Sequence, residues 1–127
     1  MEYNEFNQPI GKKVVGFQVP ILPNALSIEG RYCRLEKLKP KHGEGLYAHF
    51  GTVEDLPNWT YLPDEQPKDL EAFQVYLNKK FETKDPYFFA IIDKQTEQAV
   101  GIIALLRIDQ SNGSIEVGHI HYANILK

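Results

Sequence analysis

One cysteine, Cys33, stands in the 127 residues of this chain. A lone thiol excludes an intrachain disulfide and makes a reducing, cytoplasmic setting the expectation. No stretch approaches the roughly 18 consecutive apolar residues of a membrane span, and the start, Met1-Glu2-Tyr3-Asn4-Glu5, lacks the basic-then-apolar order of a secretory signal. A membrane partner is therefore not expected. Long basic stripes are also missing. The 14 Lys and Arg against 17 Asp and Glu leave a net charge of −3, and the cluster Arg31, Arg34, Lys37, Lys39, Lys41 is interrupted by Glu36 and apolar residues, which argues against nucleic-acid binding. Internal repeats and low-complexity tracts are absent. What remains, 43% hydrophobic and 24% charged residues, is the composition of one soluble globular domain.

Residues 1–27 read as an extended arm. Pro9, Gly11, Gly16, Pro20 and Pro23 interrupt it too often for a helix or a central strand, yet Phe6, Ile10, Val14, Val15, Phe17, Val19, Ile21 and Leu22 are too many apolar residues for a free tail. Residues 28–127 form the domain proper. Arg31–Glu36 alternates as a first strand, with Cys33 and Leu35 on one face and Arg34 and Glu36 on the other. Pro40 marks a helix start, and Leu46, Tyr47 and Phe50 make a short apolar stripe before Gly51. Gly43 and Gly45 weaken that helix by roughly 1 kcal/mol each. A second helix follows from Leu70, Phe73, Leu77 and Phe81 at spacings of three and four, with Asp69 and Glu71 at its start and Lys79 and Lys80 at its end. Asp85-Pro86 closes it.

Between the helices lies the aromatic loop Asn58-Trp59-Thr60-Tyr61-Leu62-Pro63. After Pro86 the segments Tyr87–Asp93, Ala99–Asp109 and Ser114–Tyr122 read as strands apolar on both faces, joined by short polar connections, one carrying the Asn112-Gly113 hairpin signal. The expected fold class is α+β: a mostly antiparallel sheet with two helices, in the order strand, helix, helix, strand, strand, strand.

The wording of these segments resembles the GNAT acetyltransferases. Leu26 to Glu36 is similar to the "L-x-G-x-x-x-L-x-P/L" opening strand of the branch that includes the ribosomal-protein N-acetyltransferases. Phe89-Ala90-Ile91-Ile92-Asp93 with Ala99-Val100-Gly101 resembles that branch's "F-A-I-x-D…x-x-x-G" hairpin, and Ile115-Glu116-Val117-Gly118-His119-Ile120 its "x-E-I/V-G-Y/H-x" fourth strand. Asn4-Glu5-Phe6-Asn7-Gln8-Pro9-Ile10-Gly11 is similar to the start of one bacterial subgroup. The resemblance is to the N-terminal half of the family and implies direct acetyl transfer from acetyl-CoA to a primary amine.

It implies site residues as well. Glu116 corresponds to the general base, a task that suits a carboxylate raised toward neutrality by partial burial. Backbone N–H groups near Ile120 and Tyr122 would run along the pantetheine of acetyl-CoA and polarise the thioester carbonyl. Trp59 and Tyr61 lie where the family shapes its acceptor site, or else they cap the core above the sheet. By a period of two, His119 and His121 share the face of Ile115 and Val117, opposite Glu116. No third ligand suggests a metal, so they are expected to be hydrogen-bonded structural or cleft-lining residues. Cys33 is expected to be a buried, inert thiol. The sequence ends at Lys127, before the family's Gly-rich pyrophosphate loop, so weak or absent acetyl-CoA binding is expected of this chain. The alternative is a non-catalytic relic or self-associating domain. An unpaired last strand, or exchange of the arm, makes a homodimer the expected assembly.

Overall fold

The computed structural model describes residues 1–127. Strands β1 (Glu2–Tyr3) and β2 (Pro9–Ile10) pair as a small antiparallel hairpin. Asn4 closes its turn by accepting the N–H groups of Phe6 and Gln8 on its side-chain oxygen, each at 3.0 Å. Strands β3 (Ser27–Glu29) and β4 (Cys33–Lys37) come next, followed by a 3-10 turn at Pro40–His42 and helix α1 (Gly43–Phe50). A second 3-10 turn, Leu56–Trp59, precedes helix α2 (Leu70–Phe81). Strands β5 (Tyr87–Asp93), β6 (Gln98–Asp109) and β7 (Ser114–Tyr122) and a 3-10 turn at Asn124–Leu126 complete the chain. The main sheet is antiparallel throughout, in the order β3-β4-β5-β6-β7. This is the α+β class that the sequence predicts.

The first strand is a hairpin rather than a single segment. Gly30 turns the chain so that its N–H reaches the Cys33 carbonyl at 2.9 Å, and a Cβ at Gly30 would stand 2.7 Å from that same oxygen. Only glycine fits so tight a reversal. Helix α2 starts where its charge pattern predicts, with the Asp69 carboxylate accepting the Ala72 N–H at 2.8 Å. Gly43 lies where α1 meets α2, and a Cβ there would displace the side-chain amide of Gln74.

Both helices lie on one face of the sheet. Leu38, Leu46, Phe50, Phe73 and Leu77 pack there against Phe88, Ala90, Ile92, Ile102 and Ala104, all buried. The arm crosses the other face, where Tyr87 Oη donates to the Ala25 carbonyl at 2.6 Å and Gln110 Nε2 to the Pro20 carbonyl at 2.8 Å. Beyond the arm that face keeps an apolar recess formed by Cys33, Leu35, Ile91, Ile103, Tyr122 and Leu126. Cys33 is half-buried there.

Arg34 and Glu36 point toward the helices and close one end of the layer. Lys39 N–H donates to His42 Nδ1 at 3.0 Å, so the imidazole carries its proton on Nε2, 2.9 Å from Glu36 Oε1. Arg34 joins the same carboxylate at 3.0 Å and bridges to Glu97 at 2.6 Å. The His42 hydrogen bond, followed by that from Arg34, holds the Glu36 carboxyl down at about 2 against the opposing effect of burial. No helix is long and apolar enough to cross a membrane.

Leu77 is completely buried between α2 and the sheet, so Leu77→Ala is expected to lower unfolding free energy by about 2–5 kcal/mol in urea titration. Asp69→Ala, which removes only the cap, should cost about 1 kcal/mol. Equal losses for the two would contradict this division of the stabilising contacts.

Candidate active site

The site is organised by an irregularity in β7. Leu106 pairs with Glu116 and Ala104 with Gly118, but Ile102 pairs with His121, so β7 spends one residue more than β6 between the last two pairs. The extra residue is His119, at φ 47°. Such a bulge shifts the alternation of side chains by one. His121 consequently lies on the face of Ile102, Ala104 and Leu106, which is also the face of Glu116 and Gly118. The ring of His119 meets Phe88 edge-on on this face, 5.0 Å between centroids. The expectation from a period of two, that both histidines stand opposite Glu116, is thus corrected. They share a face with each other and with Glu116, because the bulge breaks the period.

Facing β7 is the loop after α1, held by one carboxylate. Asp55, 1% exposed, accepts from Asn58 Nδ2 on Oδ1 at 2.7 Å and from Trp59 Nε1 on Oδ2 at 3.0 Å. His121 Nε2 lies 2.8 Å from the same Oδ2. The His121 ring is stacked on Phe50, 3.6 Å between centroids with planes 3° apart, and meets Trp59 edge-on at 4.9 Å. Burial lowers the His121 pKa, opposed by Asp55. A neutral imidazole donating Nε2–H to Asp55 satisfies the carboxylate and leaves Nδ1 as an unpartnered acceptor. Gln66 secures the loop's ends by donating to the carbonyls of Phe50 and Thr52, each at 2.8 Å.

Above the bulge, this loop and β7 enclose a groove of about 380 Å³ lined by Asn58, Tyr61, Leu62, Pro63, Leu106, His119 and Ile120. A Cβ on Gly118 would lie 2.9 Å from Leu106 Cδ2. Burial, assisted by the charge of Lys80 and opposed by Asp64, pushes His119 down to about 4. Glu116 stands two residues from Gly118 with its side chain 47% exposed, 3.3 Å from Arg107 Nε. Arg107 is itself at a bulge in β6, with φ 48°. At the free edge of the sheet, the bond from Ala123 N–H to the Val100 carbonyl at 2.9 Å sets the phase of the ladder. Alternation then turns the N–H groups of Tyr122 and Ile120 outward.

The aromatic pair of the loop is split. Trp59, 4% exposed, is part of the core, and Tyr61, 98% exposed, stands at the groove rim. Ile120 lines the groove, whereas the Tyr122 side chain lines the apolar recess on the opposite face. No group of three His, Cys, Asp or Glu side chains is placed to hold a metal ion. Asp55 and Asn58 escape sequence reasoning. Asp55 carries no local signal, because its partner His121 is 66 residues away.

Both histidines titrate below their ordinary value near 6.5 in the folded chain. As pH falls, the unfolded chain therefore binds protons first. Stability is expected to be complete above pH about 6.5 and to decline as pH falls toward about 4. His119→Gln should flatten that decline, as read from urea midpoints at successive pH values. A midpoint constant from pH 7 to 4.5 in the unsubstituted chain would refute the buried neutral state.

No protein-family model and no curated protein matches the sequence. Solved structures do. A GCN5-related N-acetyltransferase from Brucella melitensis superposes with a TM-score of 0.85 at 35% identity, covering 90% of this chain and 52% of that one. A GNAT-family protein from Chromobacterium violaceum ATCC 12472 gives a TM-score of 0.79 at 24% identity, over 93% of this chain and 59% of that one. The GNAT-family acetyltransferase from Bacillus anthracis, at 19% identity and a TM-score of 0.58, shares the fold over 76% of this chain and 52% of its own. The chain spans between 52% and 59% of the lengths of these structures. In fold and in this likeness, the chain belongs to the GNAT N-acetyltransferase superfamily, of whose fold it carries the N-terminal half.

Proposed function

We propose that the chain supplies the acceptor side and the pantetheine edge of an N-acetyltransferase acting on acetyl-CoA and a primary amine. The observation that carries this reading is the bulge at His119. It sets an unpaired strand edge beside a groove that is walled by the loop after α1. Acetyl-CoA, when bound, supplies an activated acetyl thioester. The outward N–H groups of Ile120 and Tyr122 are donors fixed by the sheet, suited to amide and carbonyl oxygens laid along the edge, and they need no reorganisation to act. The groove admits the amine. Glu116, on the face of His119 and open to solvent beside Arg107, takes the ammonium proton directly or through water.

Amide spectra of the ¹⁵N-labelled chain test the reading. Acetyl-CoA is expected to move the resonances of Ile120 and Tyr122 more than those of His121 and Ala123, whose N–H groups are turned toward β6. Glu116→Gln should leave these changes in place, because its carboxylate acts on the amine. Millimolar acetyl-CoA that shifts other amides of the chain and leaves those of Ile120 and Tyr122 unmoved would overturn the proposal.

A second reading uses the same edge for self-association. Ile115, Val117, Ile120 and Tyr122 are all exposed on β7, Glu116 is its one formal charge, and no proline blocks pairing. Under this reading light scattering returns a two-fold dimer of the 14.6 kDa chain. A monomer mass that is independent of dilution eliminates it.

A further inference from the structure

Three side-chain atoms are buried without a hydrogen-bond partner within the chain: Tyr76 Oη, His119 Nε2 and His121 Nδ1. The first two lie about one ion pair. Lys80 stands one turn beyond Tyr76 on α2 and places its Nζ 3.1 Å from Asp64 Oδ2. The same Nζ is 4.4 Å from the centre of the Tyr76 ring and 5.1 Å from that of Phe88. The ring of His119 meets Phe88 edge-on at 5.0 Å. An ammonium has three N–H donors, and Asp64 occupies one of those on Lys80.

A buried polar atom without a partner destabilises the fold. Interiors satisfy such atoms with an ordered water where no side chain reaches them, and such a water makes about three hydrogen bonds. Tyr76 Oη, His119 Nε2 and a free donor of Lys80 supply that number. Their polarity also sets its direction. Lys80 can only donate, so the water accepts from it and keeps its own hydrogens for an acceptor. Beside an ammonium, a bare ring nitrogen is electrostatically favoured over an N–H. Burial and then the Lys80 charge, opposed by Asp64, keep the ring neutral. His119 lines the groove, and of its two nitrogens only Nε2 is buried without a partner. Nδ1 is thus the nitrogen on the groove side.

We propose that a water held by Tyr76 Oη and Lys80 Nζ donates to His119 Nε2 behind the groove, and that this inner contact fixes His119 as the neutral Nδ1–H tautomer. Tyr76 is then a positioning residue that acts on the groove through His119. The groove gains one oriented donor, suited to a carbonyl or hydroxyl oxygen of a bound molecule. The assignment goes beyond the acetyl-transfer reading, because it concerns contacts internal to the chain.

Ring-nitrogen spectra of the ¹⁵N-labelled chain at pH 7 test it, read through the couplings of each nitrogen to the ring C–H protons. In the unsubstituted chain His119 Nδ1 is expected in the protonated range and Nε2 in the bare range. Tyr76→Phe keeps the ring against Trp59 and Phe73 and deletes only the hydroxyl. It should move the two His119 signals toward each other as the second tautomer becomes populated, and leave those of His121, held by Asp55, in place. It should also lower the urea midpoint, whereas removal of a hydroxyl that bonds nothing would leave the midpoint unchanged or raise it. An Nε2–H tautomer in the unsubstituted chain overturns the proposal. So does a Tyr76→Phe chain whose His119 signals stay in place, whose His121 signals move as far, or whose midpoint does not fall.

Discussion

The buried carboxylate of Asp55 is the constraint on which the site depends. Its two oxygens gather Asn58, Trp59 and His121 from the loop and from the last strand. A carboxylate so fully withdrawn from water must have its acceptor sites filled, and removing one partner of such a buried pair typically costs about 3–5 kcal/mol. That penalty defines where the loop lies. Trp59 is drawn into the core, Tyr61 is left at the rim, and Leu62 and Pro63 form a wall over His119. The loop is thereby tied to the last strand, and Gln66 secures it again at its base.

The bulge at His119 is the second constraint, and it works with the first. Without the extra residue, His121 would point away from Asp55, and the loop would have no partner on the strand. The same residue brings His119 over Phe88 and sets the phase in which the outer N–H groups of β7 face away from the sheet. One backbone irregularity thus positions the groove, the buried pair and the free edge together, which is a common use of bulges near functional sites.

The faces of the sheet divide the work. The helix face carries the aromatic core and the polar groups that shape the groove, and its far end is closed by the Arg34–Glu36–His42 cluster. The other face is apolar and partly roofed by the arm, pinned at Pro20 and Ala25. Near the groove, Lys80 pairs with Asp64 and Arg107 with Glu116, while Lys127 donates to the lining residue Asn58.

The elements were legible because their signals are local. Helix α2 follows from apolar spacing and end charges, and the last three strands from apolar runs punctuated by turn residues, so both appear where the sequence places them. The hairpin at Gly30 was less so, since β3 is three residues long and its pairing with β4 depends on the fold. The glutamate of the fourth strand could be named from the motif, but its pairing with Arg107 could not, because that contact passes through a bulge in the neighbouring strand. By itself the sequence determined the fold class, the order of elements and the family likeness, all consequences of periodicity and short motifs. Only the tertiary structure decided the face of the histidines, the separation of Trp59 from Tyr61 and the role of Asp55. Those follow from a one-residue change of strand register and from a buried pair 66 residues apart, neither of which leaves a local trace in the chain.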